Sequence, residues 1–469
     1  MRARILTLGM VSAIAAVSVT TSAYGAPPAP AADSGGTTAA AAQVSAVKSV
    51  GTPLPVDDFR AIELDEDRGR LYLAQGVGTG LPLVVTDLDG QFQQRVTAVT
   101  DVSDLVLADD HRRLLVAQGF NRVTALDADS LTVKAAYPVP SGACPYVVEP
   151  TGDKIVAGFL DCGLGSGGLL VWSSPDTPPT VYTAGPNYEP VIDASAGAPG
   201  LIVAGDTGYS PVTTYVIDVT GTTPQIRSRR TDTGENLQDY ALSPDGTEVV
   251  ESTGYPYEHH AYRMPDLADA TVYPSGAYPA DAAWSADSST VAIGRSDTSS
   301  FDPDVLLYKK GSTTPTYAVD FRSGDNLWKG TLLVNRDGSR AWAVSYDDYY
   351  QERYLLHSFG PAHPPKAPVT DLAVTAATGS GKQKGTANLT VTWSSPMSGP
   401  SGAGGDHYWW ITASTNGGPE KEFGRGRMDT TGKASATYAL PKGTTTFTVH
   451  YQDFEGWYPP GYDTATLTR

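Results

Sequence analysis

The chain has 469 residues with 49 Gly, 35 Pro and only 5 Met, and it carries 33 basic against 51 acidic residues, a formal net charge of −18. That length holds a large core, and the Gly and Pro content suits many short strands and turns rather than long helices. The acidic balance argues against nucleic acid and anionic membrane as partners, because both need clustered Lys and Arg.

Residues 1–25 read as a signal peptide. Arg2 and Arg4 form its charged end, Ile5 to Val19 is almost wholly apolar, and Ala23-Tyr24-Gly25 offers a cut ahead of Ala26. Without the leader the charge is −20, with 31 basic against 51 acidic residues. The leader has no paired Arg and no Cys follows it, which favours the general secretory route without a lipid anchor. No later window approaches eighteen apolar residues, so the expected product is released outside the cell without membrane insertion, and it is expected to be a monomer. Residues 26–43 are Ala, Pro, Thr, Ser and Gly apart from Asp33 and Gln43, a disordered tether with almost nothing to bury.

From residue 44 to 360 the chain repeats itself. LSPDGTEVV at 242–250 sets two short apolar runs around a turn: Pro244 presets φ, Asp245 caps its own backbone and Gly246 accepts positive φ. The same pattern is spelled ELDEDRGRLYLA at 63–74, LADDHRRLLVA at 107–117 and VEPTGDKIVAG at 148–158. It recurs as IDASAGAPGLIVAG at 192–205, WSADSSTVAIG at 284–294 and VNRDGSRAWAV at 334–344. Seven copies about 40 to 50 residues apart have the period of a propeller blade. The expected fold is all-β, a seven-bladed β-propeller. Its blades begin near Phe59, Val102, Cys144, Glu189, Leu237, Pro279 and Trp328. The seventh blade has only three strand-like runs, and VSAVKSV at 44–50 looks like a fourth strand, so the ring is expected to close by pairing its two ends.

The stretch 122–158, RVTALDADSLTVKAAYPVPSGACPYVVEPTGDKIVAG, resembles the YVTN-type, WD-repeat-like propellers of secreted bacterial proteins. The resemblance rests on the "ALDADSLTV" turn and the Pro-Asp-Gly or Thr-Gly-Asp hairpins, and it spans roughly residues 44–360. It implies a fold and a habit of binding at one end; the Trp-Asp, Gly-His and Ser-x-Asp-x-Gly signatures of other propellers are missing.

After a stiff linker, PAHPPKAP at 361–368, residues 369–469 resemble a fibronectin type III or immunoglobulin-like β-sandwich. Its alternating runs are 369–376, 387–393, 408–414, 434–440, 446–452 and 463–468. Trp393 stands where that family keeps a core Trp, while Phe447 takes the place of its corner Tyr. Trp409 and Trp410 are neighbours in a strand, so one faces the core and the other faces out.

Cys144 and Cys162 flank the hairpin turn Thr151-Gly152-Asp153, and in an exported protein two Cys read as one disulfide, worth about 3 kcal/mol for such a loop. No phosphate loop, metalloprotease motif, nucleophile elbow or EF-hand loop is present, so no cofactor or metal is expected. His259 and His260 point to opposite faces of an extended segment and make poor joint metal ligands. Asp297, Asp302 and Asp304 read either as a Ca²⁺ loop or, better, as a solvated one. Asp104, Asp239 and Asp281 share one position near the start of three inner strands. They either ring a channel mouth that binds a cation or bond to backbone amides between blades.

Strand alternation puts the loop entering each blade and the loop between its second and third strands at one end of the ring. Those loops hold Tyr188, Tyr209, Tyr255, Tyr257, His259, His260, Tyr278, Phe301, Trp328, Tyr346, Tyr349 and Tyr350, whereas the other end has tight, aromatic-poor turns. Tyr and Trp give binding surfaces rigid area with a polar handle, and the same rings serve equally to order long loops. The expectation is a secreted binding or scaffolding protein for an extracellular glycan, peptide, protein or cell-wall fragment. Its ligand-binding candidates are Tyr209, Tyr255, Tyr257, His259, Tyr278, Asp281, Trp328, Tyr349 and Tyr350. The alternative is an extracellular hydrolase or lyase using channel-mouth carboxylates, for which no catalytic motif stands out.

Overall fold

The computed structural model describes residues 44–49, 51–120, 122–162, 165–207, 209–296, 303–321, 325–347, 353–365, 370–394, 407–427, 432–453 and 462–469. Almost all regular structure is β-strand, and among these residues no helix is long and apolar enough to cross a membrane.

Between Val47 and Phe359 the strands form seven consecutive antiparallel sheets. Their first strands are Ala61–Asp65, Val102–Leu107, Ala143–Thr151, Pro190–Ala194, Glu235–Leu242, Pro279–Trp284 and the broken pair Asp325–Leu327 and Leu333–Val334. These starts fall within a few residues of those expected from the repeats. In each sheet the hairpin joining the first two strands comes from local chemistry. In sheet 5, Asp245 Oδ1 accepts the Thr247 amide at 3.1 Å and Ser243 Oγ accepts the Glu248 amide at 3.0 Å. Gly246, at φ +70°, lies so close to Gly197 of the neighbouring hairpin that a Cβ would meet its backbone at 2.5 Å.

The second and third strands of the sheets are buried on both faces, which is why they read as unbroken apolar runs, whereas outer strands such as Phe92–Thr100 and Gln225–Arg230 are mostly exposed. Leu114 packs between sheets 1 and 2 and Leu115 between sheets 2 and 3; Val249 and Val250 divide in the same way between sheets 4 and 5 and sheets 5 and 6. One apolar cluster joins each successive pair of sheets, and Phe59, Ile62, Leu71, Trp342 and Leu356 join sheet 7 back to sheet 1. The Trp342 indole donates to the Leu88 carbonyl at 2.9 Å across that last junction. The sheets form a closed, propeller-like ring.

The closure differs from the expected pairing of 44–50 with the last sheet. Val47–Lys48 adds to the outer edge of sheet 6, parallel to Pro315–Asp320, and Thr52–Pro53 supplies the outer edge of sheet 7 against Arg353–Phe359. The reason lies in the side chains. Val44 and Ala46 pack on the core between sheets 5 and 6, Lys48 pairs with Asp320, and Ser49 Oγ bonds His357 Nδ1 at 2.8 Å. Gly51, at φ +67°, then turns the chain toward sheet 7, and a Cβ there would meet Leu355 at 2.8 Å. One short segment thus straps two sheets.

Beyond the linker, Thr370–Thr378, Thr386–Ser394 and Lys433–Ala439 make one sheet; Lys421–Arg427, His407–Thr415, Thr444–Asp453 and Tyr462–Thr468 make another. Both contribute to one core that includes Trp393, Trp409 and Phe447. Trp409 is buried and Trp410, partly exposed, stacks on His450. Strand Lys421–Arg427 was not among the expected runs. Its apolar alternation is broken by Gly424 and Gly426, and Gly426 is small because a Cβ would meet the Trp409 ring at 2.8 Å.

Candidate functional site

The first strands of the seven sheets line a central cavity of about 460 Å³. The first strands of six sheets each turn one carboxylate into it: Glu63, Asp104, Glu149, Asp193, Asp239 and Asp281, from sheets 1 to 6 in order. Five of them bind the backbone of the next sheet. Glu63 accepts the Leu107 amide at 3.1 Å, Asp104 that of Val148 at 2.8 Å, Asp193 that of Leu242 at 2.5 Å and Asp239 that of Ala282 at 3.0 Å. Asp281 accepts two, from Thr331 at 2.6 Å and Leu332 at 2.9 Å. Those two amides sit where the first strand of sheet 7 is interrupted. Of the two readings of Asp104, Asp239 and Asp281, amide binding between sheets is the one the geometry carries.

Burial raises the pKa of these carboxyls, partly offset by the amides they accept: Glu63 to about 8, Asp193 to about 7, Asp104 and Asp281 to about 6. Glu149 and Asp239 also move well up, first by burial and then by neighbouring carboxylates. The charge of Asp281 is the largest neighbouring influence on Asp239 after burial. Among the described residues no three His, Cys, Asp or Glu are arranged to hold a metal ion.

The aromatic residues separate into groups. Tyr255, Tyr257 and Tyr278, with exposures of 58%, 48% and 51%, form one cluster at the junction of sheets 5 and 6. Tyr257 meets Tyr255 edge-on at 5.8 Å and Tyr278 at 5.4 Å. The Tyr278 hydroxyl, by charge and hydrogen bond, raises the pKa of Tyr257. Tyr209 pairs with Tyr188 at 6.2 Å on sheet 4, both exposed. Trp328 is instead half-buried against Phe59, Tyr346 and Tyr354.

His259 corrects its expected place in a loop. It lies within strand Glu258–Arg263, fully buried, with Nδ1 bonded to Ser275 Oγ at 2.9 Å and Nε2 to the Asp281 carbonyl at 3.1 Å. Burial depresses its pKa to about 3, so it is a neutral core group. His260 points the other way and pairs with Glu258 at 3.1 Å. Asp304 is buried and accepts the Phe321 amide at 2.5 Å. Tyr349, Tyr350, Phe301, Asp297 and Asp302 lie outside the described residues.

Cys144 and Cys162 form a disulfide with Cα atoms 5.4 Å apart, at the end of sheet 3 that carries its loops. Sequence reasoning missed Phe120, exposed in the loop between the second and third strands of sheet 2, and three of the six channel carboxylates.

Sheets of four antiparallel strands set around a channel define the class, a β-propeller-like protein. No protein-family model matches the chain, and no curated protein matches it in sequence. Among solved structures, hydrazine synthase of Kuenenia stuttgartiensis is similar at a TM-score of 0.50 and 13% identity, over 66% of this chain and 97% of that one. The β-propeller domain of Myceliophteria thermophila Cps50 (Swd1) gives 0.49 and 14%, over 66% of this chain and all of that domain. At such identities the likeness is one of fold alone.

Proposed function

We propose that this is an exported binding protein: a seven-bladed β-propeller of the YVTN, WD-repeat-like kind, closed by its N-terminal strap and followed by a fibronectin type III-like β-sandwich. Its ligand, an extracellular glycan, peptide or cell-wall fragment, docks on the end of the ring that carries the tyrosines. The observation behind this reading is the Tyr255–Tyr257–Tyr278 cluster, three rings joined edge-on through Tyr257 that stay about half exposed. A cluster needed only to order its loops would bury more of its own area. The hydrolase alternative is disfavoured because five of the six channel carboxylates are engaged by amides of the adjacent sheet, a stitching role.

The test is a glycan and peptidoglycan array probed with the exported protein, followed by Tyr257→Ala and Tyr278→Ala. Each substitution is expected to weaken binding by about 1 kcal/mol or more and to leave the melting temperature nearly unchanged. Loss of stability with binding intact would make the rings structural.

A further inference from the structure

The mouth of the channel carries a different charge pattern from its depth. Arg60, just ahead of the first strand of sheet 1, and Lys329, in the break of sheet 7, both line the cavity. They come from adjoining positions, since the Trp328 indole donates to the Arg60 carbonyl at 3.4 Å. Both side chains are exposed, and among the described residues neither holds an ion pair or a side-chain hydrogen bond. By contrast Arg68, Arg113, Arg230, Lys310 and Arg340 each bind a carboxylate.

Sheet 4, across the ring from the junction of sheets 7 and 1, contributes Glu189 to the same cavity. Glu189 is exposed and has no cation beside it among the described residues; Thr207 Oγ1 fixes its Oε2 at 3.0 Å. Between the two poles stands Tyr146, whose hydroxyl donates to the Pro190 carbonyl at 2.8 Å and feels the charge of both Glu189 and Arg60. The mouth therefore has a cationic side and an anionic side, separated by polar groups.

We infer that the channel mouth binds a small zwitterion of the class of amino acids and short peptides with free termini, its carboxylate held by Arg60 and Lys329 and its ammonium by Glu189. Planar guanidinium and carboxylate pair by parallel hydrogen bonds, and a concave mouth lets both poles act on one small ligand at once. The competing role for Arg60 and Lys329 is that of counter-ions for the channel carboxylates. Arg60 acts on Asp104 through its charge, but neither side chain forms an ion pair with a described carboxylate, which leaves both free to hold a ligand. The inference stands apart from the tyrosine reading.

Titration calorimetry of the full chain with dialanine, N-acetyl-dialanine and dialanine amide at millimolar concentration tests it. Dialanine is expected to bind saturably at one site, and blocking either terminus to weaken it about tenfold or more. Arg60→Gln with Lys329→Gln should abolish the preference for a free carboxylate. Glu189→Gln should abolish the preference for a free amine, and Tyr257→Ala should change neither. All three mouth side chains are exposed, so the melting temperature should hold. No saturable binding of dialanine, equal binding of the blocked forms, or binding unchanged in the mouth variants would overturn the assignment.

Discussion

Replacing Asp281 by Ala is the sharpest probe of how the ring is held. Its Oδ2 accepts the amides of Thr331 at 2.6 Å and Leu332 at 2.9 Å, and the residue is 1% exposed. Truncation leaves two buried N–H groups without a partner, at about 1–3 kcal/mol each. Part of that is returned, because Asp239 then loses the neighbouring carboxylate that helps to raise its pKa. A net loss of about 2–4 kcal/mol follows. Asp239→Ala frees only the Ala282 amide and should cost about half as much. Denaturant unfolding at fixed pH measures both, and hydrogen exchange at 331–332 should quicken in the first variant alone. A loss below about 0.5 kcal/mol, or equal losses in the two variants, would refute the claim that these carboxylates stitch sheet to sheet.

Acidity should stabilise the fold. Glu63, Asp193, Asp104 and Asp281, raised to about 8, 7, 6 and 6, keep protons in the folded chain that the unfolded chain has released. Their contribution is complete below about pH 4 and is lost as pH rises through 6 to 8. His259 and His357, depressed to about 3, act oppositely below 6.5, but two imidazoles are outnumbered by the channel carboxyls. The melting temperature should therefore fall from pH 5 to pH 8, and a flat or rising profile would contradict the ring of raised carboxyls. A chain that starts at Asp57 loses the Lys48–Asp320 pair, the Ser49–His357 bond and the packing of Val44, Ala46 and Leu54. It should be less stable by about 3 kcal/mol or more, and an unchanged melting temperature would remove the strap from the account.

Legibility in the sequence followed local chemistry. Hairpins such as Ser243-Pro244-Asp245-Gly246 announce themselves, because the residues that bend the chain also cap it. Asp104, Asp239 and Asp281 aligned because each pairs with a residue 13 positions on, Ala117, Ser252 and Gly294. Glu63, Glu149 and Asp193 reach the same cavity from other registers, opposite Tyr72, Val156 and Val203, so no repeat exposes them. His259 looked like a loop residue because Tyr255, Tyr257 and Glu258 surround it. Its burial depends on Ser275, just past the last strand of its own sheet, and on Asp281, brought to it by the next sheet. The choice of edge for Val47–Lys48 was equally hidden, resting on Asp320 and His357 some 272 and 308 residues away.

That separation sets a timetable for the molecule. At roughly 5–20 residues per second of synthesis, the partners of the strap arrive about 15–60 seconds after it does. Through that interval the chain is an arc with unsatisfied edges at both ends, and such edges recruit other strands. A product cut short anywhere before Phe359 lacks the means to become a ring, however well its earlier sheets are formed. The strap thereby acts as a completeness check: its first residues find their places once sheet 6 is made, and its last, Ser49 and Thr52–Pro53, only on a chain made through to its seventh sheet.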